Sequence, residues 1–509
     1  MIFTPVFNYR MKKTVYLIIL SLSTIISSCK KDKKADVAST SDLLKDSVYL
    51  YEKEDYLWND AIPGYNTFNP RGYNGSNDLG ALSKEIYAIS HLKINPATGK
   101  PYEYYPADPS SAKYSFVDDG TETASLNGTN GDFGFEPIYI GLNDLRIKYV
   151  YAGSPAGLAG LRRGDEITSI DGNSDLTYDG GGNVNFVINS VYYSNTITLT
   201  VMKLDGSTAT VTLNKASYTV NPVLNYKVFN LGSGHKVAYI AFNSFTELAN
   251  AQPKLDEAFS YFIAQGANDL VVDLRYNGGG AGETAEYLDN LIVPTSKTST
   301  LMYTSYFNSG LQNNSYPLLA KKYKISQGDF LPQNNQVNFS KKLSLAINRV
   351  FFIVTNATAS SSELTINNLR PELTVQLIGD TTYGKPVGEI PIPIGSQGRY
   401  IIFSPQFYVQ NSAGQGNYYS GMAPGSADFQ GLLAADDVTK EFGDSTETLL
   451  SHALNYVKTG TYAISTPQVQ SLSANKAAFS LHQQSAIALT MEKQKYKLMT
   501  FSNKLKAKR

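Results

Sequence analysis

A single cysteine, Cys29, is all the thiol chemistry that these 509 residues hold, so the chain can form no internal disulfide and no metal-thiolate site. Histidine is almost as scarce. His91, His235, His452 and His482 are the only four, and none stands in a motif that would ligate a metal or activate a nucleophile. Neither H-E-x-x-H nor G-x-S-x-G occurs, which leaves zinc-peptidase and α/β-hydrolase readings without support. Net charge is absent as well: 44 basic residues balance 44 acidic ones, so there is no electrostatic footprint for nucleic acid or a strongly acidic substrate. Nothing in the sequence implies a metal or a cofactor.

The longest apolar run, Val15 to Ile26, is short for a bilayer span but has the length of a signal-peptide core, with Arg10, Lys12 and Lys13 before it and Met11 as an alternative start. It ends in Ile26-Ser27-Ser28-Cys29, which resembles a bacterial lipobox. That resemblance implies a leader over 1–28, lipid on Cys29, and a place in the cell envelope, periplasmic or surface-facing on the outer membrane. A leftover thiol is the alternative reading of Cys29. Lys30 to Lys34 and the residues up to about 40 form a charged, solvated tether, 29–40.

Hydrophobic residues at 42% and charged residues at 17% describe a globular chain with room for about three domains. From Ser41, Leu44, Val48 and Tyr51 fall at helical spacing, Trp58 follows as a packing aromatic, and Pro63 stops the pattern. With a short helix near Leu82 to Ile89, residues 41–131 read as a small, mainly helical N-terminal domain. Residues 132–215 alternate like strands between turns. In 216–460, strands and helices alternate: Lys236 to Phe245, a helix with Leu255, Phe259, Phe262 and Ile263 on one face, the strand Leu270 to Leu274, and the glycine loop Asn277 to Gly280. That pattern argues a partly parallel α/β core, so the whole is a multidomain α/β protein. Residues 461–509 read as a polar tail, loosely ordered or helical.

The reactive groups gather between Val350 and Lys385. An apolar, β-branched strand (Val350 to Val354) leads through a small-residue turn into a helix, ELTINNLRPEL, and a second strand, Thr374 to Ile378, leads to a turn carrying Gly384 and Lys385. Ser360 sits on the first turn and Lys385 on the second, 25 residues apart. A hydroxyl needs a base, and a lysine kept neutral by burial can serve where histidine is lacking. The bland alternative is that Ser360-x-x-Glu363 is only a helix capping box. The Asn277 to Gly280 loop would sit at a strand's carboxyl end, where glycine N–H groups can approach a substrate carbonyl; with the Ser361 N–H it is a candidate oxyanion hole. Gly379 to Lys385 mimics a phosphate-binding loop, but Pro386 follows in place of Ser or Thr, and VGEIPIPIG cannot open the helix such a loop requires.

TASSSE followed by GDTTYGK, together with DLRYNGGG from Asp273 to Gly280, resembles the C-terminal-processing, or tail-specific, serine endopeptidases. The resemblance covers roughly 132–457. It implies Ser360 as nucleophile, Lys385 as general base, Gly279 as the main oxyanion donor beside Ser361, and peptide or protein substrates with flexible C-termini. The family commonly has glutamine four residues after the lysine, orienting it. Here that position is Glu389, and an ionised carboxylate there would favour the charged lysine. A catalytically inactive, peptide-binding envelope lipoprotein of the same fold is therefore the rival reading. SPAGLAGLRRGDEITSIDG, from Ser154 to Gly172, resembles PDZ modules, which take a peptide as an added strand and hold its carboxylate on backbone N–H groups. The Gly131 to Gly134 turn before Phe135 is then the candidate carboxylate loop, with Gly134 and Phe135 as peptide-binding residues, or else an ordinary strand entry. Nothing in the sequence reads out an oligomeric state.

Overall fold

The computed structural model describes residues 38–347, 349–463, 480, 483, 487, 497–502 and 504–507. The leader, Cys29, most of the tether and His482 lie outside the described residues.

Ser39 opens the chain's first described helix, Thr40–Asp55, by a capping box with Asp42. The helix stops at Asp55, short of the Pro63 boundary expected from the sequence. Tyr56 turns extended there and its hydroxyl donates to buried Glu103 at 2.6 Å, a long-range bond that outweighs the local helical pattern. Trp58 stacks on Tyr102, with ring centroids 4.6 Å apart. This helix and Asp78–Ser90 share one apolar cluster with the central sheet. The strand Phe116–Asp118 pairs with Tyr400–Phe403, so the N-terminal residues are packed onto the core as a layer of it.

Five antiparallel strands follow in chain order: Phe135–Gly141, Asp144–Val150, Glu166–Ile170, Thr196–Met202 and Thr208–Asn214. Thr196–Met202 shows why they form a half-buried sheet, because Ile197, Leu199 and Val201 point inward and the threonines between them outward. With Val184 and Val187 of the helix Gly182–Ile188 they enclose a separate apolar core.

The central sheet has six strands whose spatial order follows the chain: β1 (Val223–Gly232), β2 (His235–Phe242), β3 (Asp269–Asp273), β4 (Arg349–Val354), β5 (Thr374–Gly379) and β6 (Gly431–Leu433). β1 and β2 are antiparallel, and every later pair is parallel. Along β4, Val350, Phe352 and Val354 face one layer while Phe351 and Ile353 face the other. Helices α1 (Leu248–Gln265), α2 (Gly282–Ile292) and α3 (Ser361–Leu369) cover the first face and α4 (Thr448–Thr459) the second. Burial on both faces is why these strands read as unbroken apolar runs; each fully buried side chain contributes about 1.5–3 kcal/mol. α3 ends before Pro371, where the missing N–H forbids continuation.

Residues 497–501, expected as part of a loose or helical tail, instead include a buried strand, Leu498–Thr500, paired in parallel with Gly279–Ala281. The polar composition upstream hid a short apolar stretch, Leu498-Met499-Thr500-Phe501, that pairs with backbone some 220 positions earlier.

Candidate active site

Three neighbouring strands, β3, β4 and β5, deliver their carboxyl ends to one place. β3 runs into Leu274-Arg275-Tyr276-Asn277 and the glycine loop. Arg275 is buried and bonded to Asp273, to both Glu447 oxygens at 2.8 and 2.9 Å, and to Asp436 at 2.6 Å. Arg163, from the five-stranded domain, joins the same carboxylate of Asp436 at 3.0 Å and the Tyr276 hydroxyl at 2.8 Å. The two guanidinium groups hold the Asp436 carboxyl down to about 2 against the opposing effect of its burial. Tyr276 adopts φ +86°, a conformation that costs a non-glycine residue of order 1–3 kcal/mol and is held here by these bonds. Asn277 then ties the loop to its neighbour. Its side chain donates to the Phe242 carbonyl at 2.8 Å and accepts the Gly279 N–H at 2.9 Å. Its carbonyl accepts from the Ala359 N–H at 3.1 Å and the Ser362 hydroxyl at 3.0 Å.

Ser360 caps the start of α3 with φ 62° and ψ −111°. Such a backbone is strained, and the Glu363 carboxylate holds it by accepting the Ser360 N–H at 2.9 Å. That is half of the expected capping box. The other half is not made, because the Ser360 hydroxyl is fully buried without a hydrogen-bond partner. Glu363 instead spends its other sites on the lysine turn: Oε1 accepts from the Thr382 hydroxyl at 2.5 Å and the Gly384 N–H at 2.7 Å, and Oε2 from the Lys385 N–H at 2.8 Å. One buried carboxylate thus holds the backbones of both Ser360 and Lys385. Burial pushes its pKa up, and these four donors pull it back.

Lys385 is fully buried, its amine bonded to Glu389 Oε1 and, at 2.5 Å, to the Lys497 carbonyl. A bond from Lys385 Nζ to the Ser360 hydroxyl is not among its contacts. Glu389 is fully buried too, and burial lifts its carboxyl to about 7 despite the adjacent lysine. Its second oxygen accepts the Met499 N–H at 3.2 Å.

The glycine loop lies against the start of α3. A Cβ on Gly279, at φ +96°, would stand 2.9 Å from the Ser361 nitrogen and 2.2 Å from the Leu498 carbonyl oxygen, so only glycine permits this approach. The two expected oxyanion donors are therefore neighbours, with the Gly279 N–H turned to Asn277. Gly134 and Phe135 lie across a cavity of about 760 Å³, which runs from Gly131 to Glu136 on one wall to Gly278 to Gly280, Lys497 and Leu498 on the other. The Gly134 N–H is held by Asp132 at 2.7 Å, and a Cβ there would strike the Ser154 side chain at 1.9 Å.

Four participants were missed from sequence: Asn277, Arg275, Glu363 as more than a cap, and the 497–501 strand. Only Glu363 carried a local signal, and it was the signal of a helix start.

Residues 236–424 match the family model described as peptidase family S41, and residues 146–180 match that of the PDZ domain. The carboxyl-terminal-processing protease of Picosynechococcus sp. is 27% identical over 267 residues, covering 50% of this chain and 55% of that protein. The chloroplastic carboxyl-terminal-processing peptidase 1 of Arabidopsis thaliana is 28% identical over 251 residues, 47% of this chain and 44% of its own. The chain spans about half the length of the curated relatives it matches. The crystal structure of a putative S41 protease from Bacteroides fragilis covers 81% of this chain and 97% of its own, with a TM-score of 0.55 and 23% identity, so the two share a fold.

Proposed function

We propose, from a chain that carries a peptidase family S41 domain and a PDZ domain, that it is a serine endopeptidase cutting peptides or proteins near their C-termini with a Ser360–Lys385 dyad. The observation that supports this best is the shared Glu363 carboxylate, because it accepts the backbone N–H groups of both Ser360 and Lys385, whose hydroxyl and amine are buried on adjacent turns. In the reaction, neutral Lys385 takes the Ser360 proton and Oγ attacks the scissile carbonyl. The oxyanion rests near the Ser361 N–H, joined by the Gly279 N–H once that group leaves Asn277 Oδ1; the proton passes to the leaving amine, and water hydrolyses the acyl-enzyme. Hydrolysis of a fluorogenic peptide by the intact chain, lost in Ser360→Ala, is the direct test; equal rates in both would remove the reading.

The inactive, peptide-binding reading draws on Glu389, whose carboxylate bonds the amine that must lose a proton. The sign follows from the pair. Below about 7 Glu389 is protonated; above it, the new negative charge favours the protonated lysine and delays the dyad's activation. Glu389→Gln should therefore move the rise of kcat/KM to lower pH, toward the glutamine form common in the family. A profile displaced to higher pH, or not displaced at all, would show that Glu389 does not restrain the base.

We assign the PDZ domain the delivery of substrate tails, by strand addition and carboxylate capture near Gly134 and Phe135. Substrates with free apolar C-termini should be cut faster than the same proteins amidated, as measured by competition kinetics. Equal rates would leave the protease and remove the tail selectivity. For Cys29, the sole thiol, we propose lipidation after leader removal. Cys29→Ala should shift the protein from the membrane to the soluble fraction on cell fractionation, and its retention in the membrane would refute the anchor.

A further inference from the structure

Lys497 lies 34 residues beyond Ala463, yet Leu498, Met499, Thr500 and Phe501 are buried between the two loops that line the candidate site. On one side the strand Leu498–Thr500 pairs with Gly279–Ala281, and the Leu498 N–H donates to the Gly278 carbonyl at 3.0 Å. On the other it lies along Glu389. The Glu389 N–H donates to the Met499 carbonyl at 2.9 Å, and the Phe501 N–H donates to the Glu389 carbonyl at 3.0 Å. An extended peptide held by strand addition is bound in this way, through backbone on both edges. Two glycines on the route leave room for the strand: a Cβ on Gly279 would meet the Leu498 carbonyl at 2.2 Å, and one on Gly282 the Phe501 ring at 2.1 Å.

The grip extends beyond the cleft. Phe501 packs beside Tyr303 and Phe407, Lys504 lies over the Phe307 and Phe407 rings, and Lys506–Ala507 pairs with Tyr323–Lys324. Upstream, Ile487 is buried in the apolar core of the PDZ domain. At the dyad, the Lys385 amine spends its hydrogen bonds on Glu389 and the Lys497 carbonyl, while the Ser360 hydroxyl has none.

We propose that residues 497–507 are an internal competitor of substrate, a strand of the chain's own that takes the sheet edge along one wall of the cleft, occupies Lys385 through the Lys497 carbonyl, and must leave before a peptide in trans can reach Ser360. This rests on the endopeptidase reading, since it names what regulates that site. Covalent attachment gives the segment a local concentration that a free peptide matches only at high excess. Substrates with tight tails would open the site, and weak ones would not.

The test separates occupancy from catalysis. In a Ser360→Ala background, the affinity for a fluorescein-labelled peptide of residues 495–507 is measured by anisotropy for the otherwise intact chain and for Leu498→Pro/Phe501→Pro. The double change removes the N–H groups donated to Gly278 and Glu389 without shortening the protein. The peptide should bind the double variant about tenfold or more tightly than the intact chain, a difference worth about 1.4 kcal/mol. With Ser360 restored, the double variant should show a similar gain in kcat/KM. Equal affinity in both chains overturns the proposal, whatever either hydrolyses. Stronger peptide binding with no hydrolysis by any form upholds the competitor and removes the endopeptidase reading. Should the double variant fail to fold, a site for a sequence-specific protease placed within 464–479 lets the strand be untethered after folding. The cut strand should then exchange with the labelled peptide, and a strand that never exchanges is a fixed part of the core.

Discussion

Replacing Ser360 by alanine should lower kcat on a fluorogenic peptide by about 10⁴-fold or more, and Lys385→Ala should cost nearly as much, because members of one catalytic unit are grossly non-additive. Combining the two changes should add little. Lys385→Arg should fail equally, since a guanidinium stays protonated and cannot take the serine proton. Ser360→Ala removes a hydroxyl that bonds nothing in the fold, whereas Lys385→Ala breaks a buried pair. The Ser360 hydroxyl has no partner, and the Lys385 amine bonds Glu389 and the Lys497 carbonyl and lies over the Tyr114 ring. Thermal melts of Ser360→Ala should therefore match the parent. Lys385→Ala leaves the buried Glu389 without the amine that bonds it, and that carboxyl, already lifted to about 7, should rise further. Full turnover in Lys385→Ala would eliminate the dyad and leave Ser360, if active, with a base that none of the four histidines is positioned by sequence motif to be.

The sheet was legible because its information is local. A β-branched run buried on both faces, such as Val350 to Val354, announces itself without reference to anything distant, and β4 spans Arg349–Val354. The serine and lysine turns were legible for the same reason, as small residues and glycine at the ends of such runs. What could not be read is bonding between loops far apart in the chain. Glu363 reaches Gly384 and Lys385, 21 and 22 residues on; Asn277 reaches Ala359 and Ser362; Arg275 reaches Glu447, 172 residues on. Such bonds leave no periodicity and no composition signal. The first helix shows the converse, with a local pattern that continued past Asp55 overruled by one distant carboxylate, Glu103. Residues 497–501 were hidden by both causes, since four apolar or small residues within a polar stretch carry too weak a pattern and all their partners lie in other loops.

Glu363→Gln should reduce kcat by about 10²-fold, the order of loss that follows when reacting groups are displaced by about 1 Å, while KM changes little. The reason lies in counting donors. Four hydrogens converge on the two carboxylate oxygens, from Ser360 N and Lys385 N on Oε2 and from Thr382 Oγ1 and Gly384 N on Oε1. A glutamine has one accepting oxygen, so its NH₂ meets either the Ser360 and Lys385 N–H groups or the Gly384 N–H beside the Thr382 hydroxyl, and in either orientation at least one backbone donor loses its partner. If the amide faces Ser360 and Lys385, both reactive backbones are pushed apart; if it faces Thr382 and Gly384, the lysine turn alone shifts. Each buried N–H left without a partner costs about 1–3 kcal/mol, so the melting temperature should fall as well. Thr382→Ala is the control, for it deletes one donor and leaves the three backbone bonds intact, and its effect on kcat should be far smaller. The same geometry sets the acid side of the profile. Four donors require the ionised form, whereas burial raises the carboxyl above its usual 4.5; protonation therefore arrives at higher pH than for an exposed glutamate and brings a fifth hydrogen into a site with no acceptor for it. Activity should thus disappear on acidification above the range where an exposed glutamate titrates. Unchanged kcat in Glu363→Gln would reduce this carboxylate to a helix cap, the alternative that its Ser-x-x-Glu spacing offers.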